Sequence, residues 1–483
     1  MIMVRSALFK GLAASVLLCG LAAAAEGLPS QVAKPLQQLG IPPGSVAFAV
    51  QEAGGTTGGL SHNVERAFNP ASVMKLVTTY AALELLGPAY RWKTEAWVDG
   101  EHLVLKGKGD PKLNYEGIWT LLRALRSRGL REIRGDLILD RTWFGEVPDG
   151  RIDNEAFRPY NVTPDALLVN FRAVRFGFLP DGGRVRVFVE PAMPGLEVVN
   201  ALVVSEGACP EGRAFRDMIQ ASFRSRPAHA RFSGRYPLSC GERDLNVALH
   251  EPEDYVAGMI RHLWNELGGT WHGMVRNGAA SPAAQLVYIH ESAPLAEIAR
   301  DINKFSNNVM ARQLYLTLAA ERAGAPAQPQ AAFRTIQDLL RSKGIAAPEL
   351  VIENGSGLSR NERASAATLL ALLQAAWRSP AMPEFVSSMP VVAVDGTMRK
   401  RLLGGAVAGQ AHIKTGLLAD ARSVAGFVLD RNGRRQAVVM VINHPRAGEA
   451  QAALDAFLEW VYSGPTSPAP STSRRPGASP RRP

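Results

Sequence analysis

The chain changes texture twice, and that restricts its fold more than any single motif does. A strand-like apolar run, Val46-Ala47-Phe48-Ala49-Val50, comes first, followed by a helical pattern after Pro70. Val73, Leu76, Val77, Tyr80 and Ala81 recur at i, i+3, i+4 spacing. This predicts an amphipathic helix that starts near Pro70 and Ser72 and ends at Gly87-Pro88. Strands at 92–98 and 102–105, a helix over 117–127 and a strand at 137–139 follow, and from Asn161 to about Leu249 short strand-like segments dominate, as in Val185-Arg186-Val187-Phe188-Val189. Helical periodicity returns at 256–267, over a long region at 301–321, and at 333–340 and 365–376. Two strands around Asp430-Arg431-Asn432-Gly433 form a hairpin, and a last helix spans 449–462. Helix-rich ends around a strand-rich middle predict an α/β (α+β) fold: one domain assembled from both ends of the chain, with a large β-rich insertion.

The flanks do not belong to that fold. Arg5 and Lys10 precede the apolar run from Gly11 to Ala24, and Ala22-Ala23-Ala24-Ala25 offers a cleavage site, so 1–25 reads as a signal peptide. About 14 apolar residues fall short of the ~20 that a membrane span needs. Leu18 before Cys19 argues against lipid attachment. The expected location is a bacterial periplasm. Residues 465–483 are rich in Pro, Ser and Arg and read as a disordered tail, a solvated linker in preference to a contact with the wall or a membrane surface. Two cysteines remain after cleavage, Cys209 and Cys240, and an even pair in an exported chain predicts a disulfide.

Several function classes drop out. Removing the six cations of leader and tail from the formal charge of +10 leaves about +4, and no basic helix interleaves with aromatics, so a nucleic-acid partner is not expected. The cysteines form no C-x-x-C and the nine histidines no H-E-x-x-H, so neither a metal nor another cofactor is called for.

Three short motifs carry chemistry. Ser72 and Lys75 stand three apart on the first helix, where a hydroxyl meets an amine able to activate it. Ser306-Asn307-Asn308 is an S-x-N element, and Lys414-Thr415-Gly416 a K-T-G element ahead of the closing hairpin. Alone, the first is a solvated helix face, the second a helix cap and the third an exposed strand end. Together and in this order they are the signature of penicillin-binding proteins and class A β-lactamases.

With these motifs the chain resembles the D-alanyl-D-alanine carboxypeptidase/endopeptidase branch of the low-molecular-mass (class C) penicillin-binding proteins. Asn354-Gly355-Ser356-Gly357-Leu358-Ser359-Arg360, Gly107-Lys108-Gly109-Asp110-Pro111 and Val394-Asp395-Gly396-Thr397 add to the likeness, which covers nearly all of the mature chain. The resemblance implies a β-lactamase/transpeptidase-like domain, an antiparallel sheet flanked by helices, split into 26–88 and 275–464, with two nested accessory domains in 89–274. A compact β-lactamase has no room for so long an interruption.

It also implies roles. Ser72 is the expected nucleophile, and Lys75 its base once neutral, with Lys414 as the cationic neighbour that lowers its proton affinity. Ser306 would relay a proton to the leaving amine, and Asn308 would hold Lys75 and the substrate backbone. Lys414, Thr415 and Gly416 would receive the terminal carboxylate, and the backbone N–H groups of Ser72 and Leu417 the oxyanion. Asp110, Asp395 and Arg360 read as loop-fixing, and Phe48, Trp92 and Trp97 as core. Two departures stand out: Leu417 and Arg312 replace the family's usual Thr and Glu. The implied function is a D-Ala-D-Ala carboxypeptidase, with D,D-endopeptidase action on cross-links as a second activity and β-lactams as covalent inhibitors. The rivals are a serine β-lactamase and a non-enzymatic cell-wall or divisome scaffold.

Overall fold

The two ends of the chain meet in one antiparallel sheet. The computed structural model describes residues 27–55, 59–148, 155 and 157–464. The strand order in this sheet is Ala411–Leu417, Ala421–Leu429, Arg435–Asn443, Val46–Glu52, Leu60–His62. The expected hairpin closes with Ala425 opposite Val439, and the first strand joins it with Phe48 opposite Met440.

Alternation along these strands produces two apolar faces. Val46, Phe48, Val50, Val438 and Met440 pack with Val32 and Leu36 of helix Ser30–Gln38 and with Leu454 and Phe457 of helix Gln451–Tyr462. Ala47, Ala49, Val439 and Val441 share a core with helices Met74–Leu86, Asn308–Ala323 and Ala366–Trp377. Helices on both faces explain why the strands read as nearly continuous apolar runs.

Two helical expectations change. The helix Met74–Leu86 is not amphipathic: every residue from Met74 to Leu83 is buried. The sequence spacing captured one apolar face, but a helix enclosed on all sides hides its polar residues as well. Its threonines are satisfied by carbonyls, Thr78 Oγ1 donating to distant Gly355 at 2.6 Å and Thr79 Oγ1 to Lys75 one turn back at 2.8 Å. The region 301–321 is not one helix. It breaks into Leu295–Lys304 and Asn308–Ala323, with Ser306 at a φ of 55° in the break.

The inserted region builds its own core. A five-stranded sheet runs Val275–Asn277, Leu137–Asp140, His102–Gly107, Lys93–Asp99, Gln285–Glu291, and two three-stranded sheets accompany it. Phe176, Phe178, Phe232 and Tyr236 are fully buried in that core, and Cys209 and Cys240 are bonded. Because Gln285–Glu291 pairs with Lys93–Asp99, the inserted sheet runs past the boundary expected at 274. The strand after 274 carries no compositional break, so only its pairing reveals where it belongs.

The leader 1–25 and the tail 465–483 lie outside the described residues. No helix among the described residues is long and apolar enough to cross a membrane.

Candidate active site

Ser72 stands ahead of the α-helix, in the 3-10 turn Ala71–Val73. Asn69 builds that turn: its Oδ1 accepts the N–H of Ala71 at 2.9 Å and its Nδ2 donates to the Ser359 carbonyl at 2.8 Å. The Asn443 side chain brackets the Asn69 backbone, accepting from its N–H at 2.7 Å and donating to its carbonyl at 2.9 Å. These contacts hold Ala71 at a φ of 47°, a conformation a non-glycine residue keeps only when its surroundings over-determine it.

One turn on, Lys75 is completely buried. Its Nζ lies 3.0 Å from Ser72 Oγ, 2.6 Å from Asn308 Oδ1 and 2.5 Å from the Ser356 carbonyl oxygen. Two of these oxygens can only accept. In the neutral amine the two N–H bonds serve Asn308 and Ser356, and the lone pair is left to face the Ser72 hydroxyl. Burial pushes Lys75 down to about 7, opposed by the negative charge of Glu362. The expectation that Lys414 depresses Lys75 needs correcting: burial does so. The repulsion between the two cations acts on Lys414, which burial first and Lys75 second hold well below the ordinary lysine range.

The other two motifs come from the far half of the chain. Asn307 caps the helix Asn308–Ala323, its Oδ1 accepting the Met310 N–H at 3.0 Å, so the middle residue of the S-x-N element is a helix cap. The cap and the break place Asn308 on the first helical turn, against Lys75, and Ser306 ahead of it. Ser306 Oγ accepts from Lys414 Nζ at 2.9 Å. Lys414 and Thr415 lie on the edge strand Ala411–Leu417. Gly416 lets that strand reach the Ser72 turn, since a Cβ there would lie 2.6 Å from the Pro70 carbonyl oxygen and 3.1 Å from the Ala71 Cβ. Leu417 ends the strand with its side chain 57% exposed, so the departure from Thr puts an apolar group in solvent beside the site. Arg312, the other departure, is buried and donates to the Val162 carbonyl at 3.3 Å, which ties its helix to the inserted region.

Sequence reasoning missed three contributors. The Ser356 carbonyl reaches Lys75, Thr397 Oγ1 accepts from Thr415 Oγ1 at 2.9 Å, and Glu362 is buried behind them. The stretches around Ser356 and Thr397 were visible as motif-like, but a backbone carbonyl has no sequence signature. Asp395 is loop-fixing as expected, accepting from Lys304 Nζ at 2.5 Å and from the Val391 N–H at 2.8 Å. It thereby ties the Thr397 turn to the segment before Ser306. A cavity of about 740 Å³ opens beside Ser306 and Asn308 and is walled by Lys112, Tyr115 and Arg175 of the inserted region and by Phe305. It has room for a peptide.

A serine beside a buried lysine, braced by a K-T-G edge strand, is an arrangement suited to a serine hydrolase. The D-Ala-D-Ala carboxypeptidase 3 (S13) family matches residues 28–461, and the chain belongs to that family. It is 30% identical to the D-alanyl-D-alanine carboxypeptidase of Actinomadura sp. (strain R39) over 416 residues, 80% of this chain and 75% of that one. The crystal structure of penicillin-binding protein 4 (dacB) from Haemophilus influenzae shares the fold, with a TM-score of 0.72 and 23% identity over 89% of this chain and 99% of that one. The same protein complexed with a β-lactam gives a TM-score of 0.70 at 23% identity over 90% and 100% of the two chains.

Proposed function

We propose that this chain removes the terminal D-Ala from peptidoglycan stem peptides through an acyl-enzyme on Ser72. The observation that carries the reading is the three-oxygen cage around Lys75, which in the neutral amine leaves the lone pair for the Ser72 proton. Ser72 Oγ attacks the carbonyl between the two D-Ala residues as its proton passes to Lys75. The tetrahedral oxyanion is met by the backbone N–H groups of Ser72 and Leu417, a contribution of about 2.7–4 kcal/mol per donor. Collapse breaks the C–N bond, and the departing amine takes a proton through Ser306. Water then cleaves the ester and restores Ser72. Lys414 and Thr415, the latter held by Thr397, receive the terminal carboxylate, and Asn308 holds the substrate amide.

Further parts of the reading follow from this. The segment 1–25 exports the enzyme to the periplasm, where its wall substrate lies. The peptidase domain is split around an inserted accessory region, which supplies one wall of the peptide cavity. Cross-linked D-Ala peptides are a second substrate, and β-lactams acylate Ser72.

The test is labelling with a fluorescent penicillin. Wild type takes the label and Ser72→Ala does not; equal labelling of both sinks the assignment. A label lost within seconds would favour a β-lactamase. Mass spectrometry of monomeric and cross-linked muropeptides after incubation then separates carboxypeptidase from endopeptidase action. Release of no more D-Ala by wild type than by Ser72→Ala would favour a scaffold.

A further inference from the structure

Behind Lys75 lies a carboxyl group that the acylation scheme does not use. Glu362 is fully buried. Its Oε1 accepts the backbone N–H groups of Glu353 at 3.3 Å, Asn354 at 3.1 Å and Gly355 at 3.2 Å. Its Oε2 is buried with no hydrogen-bond partner. The turn that Oε1 gathers is the one whose Ser356 carbonyl meets Lys75 and whose Gly355 carbonyl takes the Thr78 hydroxyl. There is no slack in this packing. A Cβ on Gly355 would lie 2.8 Å from Thr78 Oγ1, and one on Gly357 would lie 1.9 Å from the Ala71 carbonyl oxygen and 2.8 Å from the Ser72 nitrogen. Glu362 therefore fixes the turn that presses on both Ser72 and Lys75.

Holding the turn does not by itself call for an acid. A glutamine would offer the same oxygen to the three N–H groups without burying a charge, at the cost of two unpaired amide N–H bonds where Oε2 lies. What the acid adds is charge. Lys75 exerts the strongest charge effect on Glu362. The other ionisable groups facing it are engaged elsewhere. Glu353 accepts from Ser359 and Asn361, Tyr315 donates to the carbonyls of Pro329 and Ile352, and Arg363 donates to the carbonyls of Arg360 and Glu362. Lys414, the other buried cation, is itself lowered by the charge of Lys75.

We propose that Glu362 is a positioning residue for acylation: it pins the turn that orients the Lys75 amine, and its negative charge biases that amine away from the neutral form. Burial pushes Glu362 up to about 7, partly offset by the N–H of Asn354 and by Lys75, while Lys75 is pushed down to about 7. The two groups thus titrate together, and one proton has two buried places to reside. An ionised Glu362 favours the cationic, inactive Lys75. Without that charge Lys75 stays neutral to lower pH.

The inference rests on Ser72 acylation and is tested through it, by measuring the penicillin acylation rate against pH. In wild type the rate rises as pH passes upward through the Lys75 transition. Glu362→Gln keeps the acceptor for the turn and removes the charge, so the acid limb moves to lower pH by about one unit. Glu362→Asp keeps the charge and shortens the reach, so the limb stays in place while the rate falls about tenfold at every pH. A Glu362→Gln profile that superimposes on wild type, or loses rate evenly with no displaced limb, overturns the proposal. Should Glu362→Gln not fold, a Glu362→Asp enzyme with the full wild-type rate overturns it equally. Wild type that takes no label at any pH would instead sink the Ser72 reading itself.

Discussion

The cleft and the inserted region bury opposite kinds of side chain. In the cleft Lys75, Lys414 and Glu362 have no solvent exposure, and Lys75 is answered by oxygens 233 and 281 positions away in the chain. In the insertion the centre is aromatic, with the ring of Phe232 5.0 Å from that of Phe178 and 5.1 Å from that of Phe176. On its surface Arg175 pairs with Glu190, Glu242 and Asp244. Such exposed pairs contribute little to stability. Burying an ionisable group is costly in either region. The insertion does so at Asp110 and Asp140, at its periphery of loop and strand end, whereas the cleft is centred on two buried lysines and a buried acid.

That contrast can be broken at four points. The largest effect is expected for Lys75→Ala, which removes the base: the rate of penicillin acylation falls about 10⁴-fold in stopped-flow or gel-based labelling. Phe232→Ala addresses the other side. It empties the aromatic core and costs about 4 kcal/mol in denaturant unfolding, while folded protein still acylates at a rate within about twofold of wild type. A matching loss of acylation rate would show that the two regions are energetically one. Replacing the bridge by the double change Cys209→Ser, Cys240→Ser opens a loop spanning 31 positions, and unfolding measurements should lose about 3 kcal/mol with acylation unchanged. The smallest effect belongs to Thr397→Ala. Freeing the Thr415 hydroxyl should raise KM for a D-Ala-D-Ala peptide about fivefold with kcat nearly constant, as for a lost binding contact.

Much of the fold was legible because strands and turns leave local marks. The hairpin around Asp430–Gly433 and the apolar strand at Val46–Val50 needed only periodicity and a turn signal. The break at Ser306 was legible only as a cap motif, not as an interruption of the long helical region. A helical pattern continues through Phe305–Asn307, and what interrupts it is the need to bring Ser306 to Lys414 and Asn308 to Lys75. The full burial of the helix Met74–Leu86 was hidden for a related reason. Thr78 looks like a solvent-facing residue until the distant Gly355 carbonyl that receives it is in place. Glu362 was missed because an isolated acid next to Arg363 reads as an exposed charge, and only the fold closes the turn over it.

By itself the sequence determined which groups the proposed mechanism draws on. Ser72, Lys75, Ser306, Asn308 and Lys414 were identifiable because their types, order and local spacing are properties of short segments. Tertiary structure alone decided their state. Whether Lys75 carries a proton depends on complete burial, on the Ser356 carbonyl and on the carboxyl of Glu362, all brought by segments far along the chain. Electrostatic environment is a sum over space, and spacing along a chain does not report it.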